Sequence, residues 1–497
     1  MLSGYVCLIG AGPGNPGLIS ELGLKYLKRA EVVLYDNLVP VQLLLATRPE
    51  CELIDVGKQC GKHSCSQETI NQLLIAKARE GKFVVRLKGG DVFLFGRGGE
   101  ETEALVAAGI PYLIVPGISS ALSVPAYAGI PVTHRQVAHG MTIRTGHHAD
   151  STVNEGQYTQ VILMSLQKIR EVTVKLIGEG YPDTTPVAVI SKGTTVNQRV
   201  VTGTLANIEL LVNQRQLATP ALMVVGEAVA LEQTLAWCSN LPLSGRRILW
   251  TRPEQIDDQR YLDDFELLGA EVVKLPLFSI HPNGPAYLEE MIAEIINYHW
   301  VILTSRNAVA VFSDALIRSG RDWRDLESVK IAVVGERTAA ELHARGRIPE
   351  LIAKEGNSKG LLTQLVEILE PGDKIALCQA QQTLPYLTDG LTAMQIDFRQ
   401  FVLYQQDCRH YSEGVIRKVF DQSFDWVVFT APSAVKNYLS LHQMYQLVPA
   451  KDTKYACLGR ETASVLEANG YQVALIPQRH SVEELLQAIA ERLKRDR

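Results

Sequence analysis

The segment VVRLKGGDVFLFGRGGE, residues 84–100, concentrates groups that could hold and orient a small ligand. Val84–Leu87 is a short β-branched and apolar run, the pattern of a buried strand. It runs into Gly89-Gly90-Asp91, where two glycines let a ligand come close to the backbone. A carboxylate then stands at the strand's C-terminal edge, where open α/β sheets bind their ligands. Gly96, Gly98 and Gly99 form a second loop ahead of a helical stretch, and Arg86, Lys88 and Arg97 bring positive charge beside the two loops. One such loop reads equally well as a tight turn without a ligand. Two in succession, with three cations beside them, point to a site.

A further glycine cluster, Gly12-Pro13-Gly14-Asn15-Pro16-Gly17, fits G-x-G-x-x-G after an apolar run, and Asp36 ends the next such run. That spacing imitates a dinucleotide-binding fingerprint. Pro13 and Pro16, however, remove N–H groups from the loop that would cradle a pyrophosphate. Asp36 runs on into the loop Asn37–Pro40, and Lys58 stands in a Val-Gly-Lys turn soon after. A nicotinamide-dependent oxidoreductase is therefore disfavoured. Taken alone, Asp36 also reads as a turn cap and Lys58 as a solvated lysine. Cys60, His63 and Cys65 lie close in sequence, but their spacing matches no zinc pattern and no metal is expected.

These groups need elements to position them. Up to about residue 240, strand-like runs at 5–9, 31–35, 83–87 and 112–115 alternate with amphipathic helical stretches, which predicts a parallel α/β sheet. Ser239–Gly245 is rich in turn formers, and RRILWTRP at 246–253 starts a fresh strand. The predicted division is 1–238 and 246–497. Within the second part the sequence repeats. WVILTSRNAV at 300–309 answers to WVVFTAPSAV at 426–435, and VVGERTAAEL at 333–342 to CLGRETASVL at 457–466. Two similar α/β lobes follow, with a cleft expected between them. Thr304, Ser305 and Thr430 stand at strand ends before helices, and Thr338 and Thr462 open helices after Gly-x-x. Helix N-termini present free N–H groups that suit carboxylates, although each position alone also reads as a simple cap.

Composition narrows the class. Hydrophobic residues make up 46% and charged ones 21%, and the net charge of −5 argues against nucleic acid as a partner. No apolar run is long enough to span a bilayer, and residues 1–20 lack the basic start and apolar middle of a signal peptide. Eight cysteines without a CxxC pair suggest reduced thiols and a cytoplasmic protein.

The strings GAGPGNPGL, LYDNLV, VGK, RLKGGD, FGRGGEE, VPGISS, GIPVTHR, TGH and ALMVVGEAV occur in that order over about residues 3–237. As a set they resemble the uroporphyrinogen-III C-methyltransferases of the tetrapyrrole methylase superfamily. Residues 246–493, with their repeat, are similar to uroporphyrinogen-III synthases. The resemblance implies a two-lobed α/β methylase fold followed by a two-lobed α/β synthase fold. The synthase's product is the methylase's substrate, so a bifunctional transferase and water-eliminating lyase makes sense. S-adenosyl-L-methionine is the implied methyl donor. Carried over by motif, Pro13, Gly89, Gly90, Asp91, Leu94, Ser119, Ser120, Met164 and Gly193 would bind it. Asp36 would accept a proton, and Lys58 would donate one or anchor a carboxylate. Arg97 and Arg135 would face the tetrapyrrole.

In the synthase half the resemblance implies closure of hydroxymethylbilane to uroporphyrinogen III, with no cofactor. Tyr404, ending QFVLY, matches the family's tyrosine and is the candidate proton donor; Phe278 occupies its repeat position. A buried, hydrogen-bonded packing tyrosine is the alternative. Arg252, Thr304, Ser305, Thr338, Thr430 and Thr462 are the candidate substrate contacts. The sequence departs from the family at Asn15, usually Asp, at Val92, usually Pro, and at Ser165, usually Gly. CQAQQ at 378–382 also stands where an arginine is frequent. A homodimer through the methylase half is expected, in a pathway to sirohaem or cobalamin. Methylation of another acceptor, or a non-catalytic second half, are the competing readings.

Overall fold

The computed structural model describes residues 4–57, 65–146, 158–252, 256–383, 385–479 and 481–495. The first sheet contains β1 (Tyr5–Gly10), β2 (Val32–Tyr35), β3 (Glu52–Asp55), β4 (Phe83–Lys88) and β5 (Tyr112–Val115). All pairs are parallel, in the order β3-β2-β4-β1-β5, as the alternating pattern predicts. Every residue of β2 and β4 is buried, which their near-continuous apolar sequences require of strands covered on both faces.

The second sheet holds β6 (Gly140–Thr145), β7 (Tyr158–Leu163), β8 (Pro186–Ser191), β9 (Arg199–Thr204) and β10 (Ala221–Val225), in the order β6-β7-β10-β8-β9. Here the expectation of a purely parallel sheet needs correction, because β10 is antiparallel to both β7 and β8, and β8 to β9. Residues 192–198 are too few for a parallel crossover, which takes about a dozen or more.

The remaining strands are β11 (Arg247–Trp250), β12 (Glu271–Lys274), β13 (Phe278–Pro282), β14 (Trp300–Leu303), β15 (Lys330–Val333), β16 (Leu351–Ile352), β17 (Lys374–Ala380), β18 (Asp397–Cys408), β19 (Trp426–Phe429), β20 (Lys454–Cys457) and β21 (Val473–Leu475). They form two sheets, β12-β11-β19-β20-β21 and β13-β18-β17-β14-β15-β16. Matching the repeats makes β11 equivalent to β17, β12 to the start of β18, and β14, β15 and β16 to β19, β20 and β21. Apart from the antiparallel edge strand β13, the two orders are then the same. Neither repeat makes a sheet alone. Each lends its opening strands to the sheet that the other completes.

Two compact units result: residues 1–277 with 410–497, and residues 278–409. The first unit therefore joins the methylase-like part to one synthase-like sheet. Gln42 Nε2 donates to Glu271 Oε1 at 2.5 Å, and Asn197 Nδ2 to Gln422 Oε1 at 2.6 Å. Leu243, inside the expected linker, is fully buried against Ile248 and Trp250.

Candidate active sites

The glycine-rich loops of the first sheet meet at one backbone junction. Gly90 N donates to Gly12 O at 2.7 Å and Gly12 N to Gly90 O at 3.2 Å. A Cβ on Gly10 would lie 2.4 Å from Gly117 Cα, and one on Gly117 would lie 2.2 Å from Gly90 O, so a side chain at either position would force the loops apart. Gly90 itself has φ +71°, and a Cβ there would meet no atom within 4 Å. The junction is thus closed below and open above Gly90.

Asp91 organises this loop. Its Oδ1 accepts from Phe93 N at 2.9 Å and Leu94 N at 3.0 Å, and its Oδ2 from Gly117 N at 3.1 Å. Burial works to raise its pKa, but the backbone N–H groups of Leu94, Phe93, Gly117 and Val92 outweigh that and hold it below the ordinary carboxylate value.

Ser119 caps the helix Ser120–Tyr127, its Oγ accepting from Ala121 N. Gly193 packs under Val124 of that helix, and Asn15 N donates to Thr194 Oγ1 at 3.1 Å. Leu94 packs against the cluster containing Val124 and Ile190. These contacts bring the Pro13 loop, Gly89–Leu94, Ser119-Ser120 and Gly193 together from both sheets. Met164 lies just past β7 with φ +56° and its side chain 44% exposed. The Pro13 loop does not open a long helix: a single 3-10 turn, Pro16–Leu18, follows, with Asn15 Oδ1 accepting from Gly17 N. That geometry differs from a dinucleotide fingerprint, whose third glycine sits on a helix.

Asp36 stands at the end of β2, over a buried charge network. Arg86 Nη2 donates to Asp36 Oδ1 at 2.5 Å, and Arg86 Nε to Glu101 Oε1 at 3.1 Å. Lys88 Nζ donates to the same Glu101 oxygen at 2.9 Å. Glu101 is fully buried, and its Oε2 has no hydrogen-bond partner among the described residues. Burial, and then the neighbouring Arg86 charge, push the Lys88 ammonium below its usual pKa, against the pull of Glu101. Removing one member of such a network leaves a buried charge uncompensated, at a cost of roughly 3–5 kcal/mol. The sequence reading noted Arg86 and Lys88 but missed Glu101 as their anchor. The signal was there: residues i and i+2 of a strand share a face, so two cations in a buried strand need a common carboxylate.

Arg97 caps the helix Gly98–Ala107 with φ +57° and pairs with Glu100 on the surface, Nη2 to Oε2 at 2.6 Å. Arg135 is exposed in the turn after His134. Lys58, Cys60 and His63 lie outside the described residues.

In the 278–409 unit, two sequence-predicted residues meet. The hydroxyls of Tyr404 and Ser305 lie 3.0 Å apart, and Ser305 Oγ also accepts from Ala308 N as cap of the helix Arg306–Arg318. Tyr404 is 3% exposed and belongs to the unit's core. Thr304 is half-buried, and its N–H reaches Cys378 O at 3.4 Å, so that donor is turned back into the sheet. Thr338, third residue of the helix Glu336–Ala344, is buried. In the other unit Thr462 is likewise buried in the helix Arg460–Glu467, while Thr430 and Arg252 are half-buried at the ends of β19 and β11.

Comparison with known proteins bears on both halves. Residues 5–209 match the family model described as tetrapyrrole (corrin/porphyrin) methylases, and residues 259–487 that of uroporphyrinogen-III synthase HemD. A porphyrin biosynthesis protein HemD from Ruminiclostridium josui is 31% identical over 99% of this chain and 98% of its own length. Siroheme synthase 1 of Yersinia enterocolitica is 48% identical over 49% of this chain, which covers only 53% of that longer protein. A solved uroporphyrin-III C-methyltransferase from Thermus thermophilus is 38% identical over 47% of this chain and 98% of its own, with a TM-score of 0.42. With a full-length relative of that kind and a methylase and a synthase domain in tandem, the chain belongs to the family that fuses a tetrapyrrole methylase to a uroporphyrinogen-III synthase of the HemD type.

Proposed function

We propose that residues 1–238 transfer two methyl groups from S-adenosyl-L-methionine to carbons of uroporphyrinogen III, giving precorrin-2, and that residues 246–497 close hydroxymethylbilane to uroporphyrinogen III with loss of water. The observation that carries the methylase reading is the open space above Gly90, beside a loop in which Asp91 holds the N–H groups of Phe93, Leu94 and Gly117. Gly90 leaves room for a ligand that needs close backbone approach, whereas Gly89 and Gly193 are kept small by Leu38 and Val124. Gly89, Leu94, Ser119 and Gly193 are assigned to the same ligand, with the exposed Met164 suited to an aromatic ring. Bound there, S-adenosyl-L-methionine supplies a methyl group on a cationic sulfur. Asp36 supplies the proton acceptor: Arg86 fixes one of its oxygens, and Oδ2 makes no hydrogen bond among the described residues. A carboxylate oriented at one oxygen and free at the other suits proton removal from a pyrrole as charge builds on it. Lys58 is assigned the complementary role of proton donor or carboxylate anchor.

For ring closure, Tyr404 donates to the leaving hydroxyl. Ser305, whose Oγ lies 3.0 Å from Tyr404 Oη, can donate to that oxygen and leave the phenol O–H for the substrate. Self-association through the methylase half is part of the same proposal, with Leu38, Phe93, Phe95 and Ile118 among its exposed apolar residues.

Product analysis tests both halves. Given hydroxymethylbilane alone, the full chain should form the type III isomer; type I alone, the product of spontaneous closure, would make the second half a non-catalytic module. Given uroporphyrinogen III and S-adenosyl-L-methionine, it should yield the doubly methylated product. Methyl transfer only to a different tetrapyrrole would replace the substrate named here.

A further inference from the structure

Lys418 belongs to the synthase-like part in sequence but lies against the methylase-like strand end in space, both within one compact unit. It sits on the short helix Glu413–Val419, whose Val415, Ile416 and Val419 are buried. Gly414 and Lys418, one turn apart, line another face of the same helix. A Cβ on Gly414 would come 3.9 Å from Tyr35 Oη, and Lys418 Nζ lies 5.1 Å from the Tyr35 ring centroid. Tyr35 immediately precedes Asp36. The same helix packs against Val41–Leu45, which follows the Asp36 loop.

The ammonium there is buried and makes no hydrogen bond among the described residues. Its burial lowers its pKa, and the charges of Asp55, Asp36 and Asp421 counter that. Three unfilled donors on a desolvated cation are costly unless an anion completes them. The carboxylates named act through space only. The acceptor assigned to this site, uroporphyrinogen III, carries carboxylate groups around its whole rim.

Resting on the methylase reading above, we propose that Lys418 binds a carboxylate of the tetrapyrrole during methyl transfer, so that the synthase-like part supplies one residue of the methylase's acceptor site. The carboxylate-bearing rim of the macrocycle is thereby anchored near Asp36, the proton acceptor assigned to the same reaction. Arg86, already committed to Asp36 and Glu101, cannot take that part.

Methyl transfer by the full chain, with uroporphyrinogen III as the varied substrate, is the test, run on Lys418→Gln and Lys418→Arg. Loss of a charge-assisted hydrogen bond should raise the KM of Lys418→Gln for uroporphyrinogen III about tenfold or more. Lys418→Arg should recover most of that. S-adenosyl-L-methionine affinity by calorimetry, and type III isomer formation, should match the parent. An unchanged KM in Lys418→Gln overturns the proposal. So does equal impairment in Lys418→Arg, or a parallel fall in S-adenosyl-L-methionine affinity, since either would make Lys418 a packing residue. The parent chain run alongside reports on the underlying reading separately: if it does not methylate uroporphyrinogen III, both fall.

Discussion

Three backbone N–H groups converge on the Asp91 carboxylate, so its removal acts on the loop first and on any ligand second. Asp91→Ala should weaken S-adenosyl-L-methionine binding at least as much as loss of one charge-assisted hydrogen bond, roughly 1.5–3 kcal/mol or about 10- to 150-fold. Asp91→Asn keeps an acceptor for Phe93 and Leu94 and should lose less; calorimetric titration of both variants separates loop order from ligand contact, and unchanged affinity in Asp91→Ala would remove the loop from the site. Tyr404→Phe deletes one hydroxyl bonded to Ser305. It should destabilise by only about 0.5–1.5 kcal/mol, while type III isomer formation falls at least about tenfold and methyl transfer to supplied uroporphyrinogen III holds. Full cyclase activity in this variant would leave Tyr404 a packing residue. Asp91 was legible because it follows a recognisable strand, and Tyr404 because it closes the run QFVLY; the strand does not end there as expected, since β18 continues past Tyr404 to Cys408, paired with the edge strand β13. The pairings were not: Gly117 and Ser305 reach them across 26 and 99 residues of chain, and although Ser305 was itself a candidate, only folding reveals which residue it meets.

Helix Pro432–Met444 carries a buried group that no motif in the sequence singles out. His442 packs on Tyr438 and Phe420, with Nδ1 3.3 Å from Leu447 O and Nε2 without a partner among the described residues. Burial holds its pKa below the ordinary histidine value, against the Leu447 carbonyl, which raises it. The unfolded chain then binds the proton more readily than the folded one. The stability this gives is present above the unfolded value of about 6.5 and is lost as the pH falls below it. Thermal melts between pH 8 and 5 should show that acid loss, and His442→Gln should flatten it; parallel curves would remove His442 as a source. Periodicity foretold the strands of the first sheet well, since parallel strands covered on both faces read as unbroken apolar runs. It did not foretell the antiparallel pairs at β10, because strand direction depends on connection length and partner, neither of which alternation encodes.

The boundary near residue 240 separates the two family matches, yet the compact units divide the chain elsewhere, at 277 and 409. Fragments 1–238 and 246–497 should each fold, since each holds a complete pair of sheets; the second should cyclise, and the first should methylate with the raised KM for uroporphyrinogen III expected of a chain without Lys418. Activity assays on the isolated fragments check this; an insoluble 246–497 fragment would show that Gln42–Glu271 and the neighbouring contacts hold the second half together. The repeat itself was visible as similarity along the chain. That similarity records order in sequence and says nothing about which sheet a strand enters, so the exchange of opening strands could not be read from it.

That exchange has a consequence for what counts as a minimal piece of the synthase half. Because β11 and β12 are completed by β19–β21, and β17 and β18 by β14–β16, one repeat in isolation would end each of its sheets in unpaired backbone, an edge prone to find any strand available. Two copies of a single repeat could heal each other by trading those strands, as one copy never could. The indivisible building block is therefore the reciprocal pair, whose two members are linked along the chain by the short stretch between Ile368 and Lys374 and across it by the strand pairs β11–β19 and β14–β17.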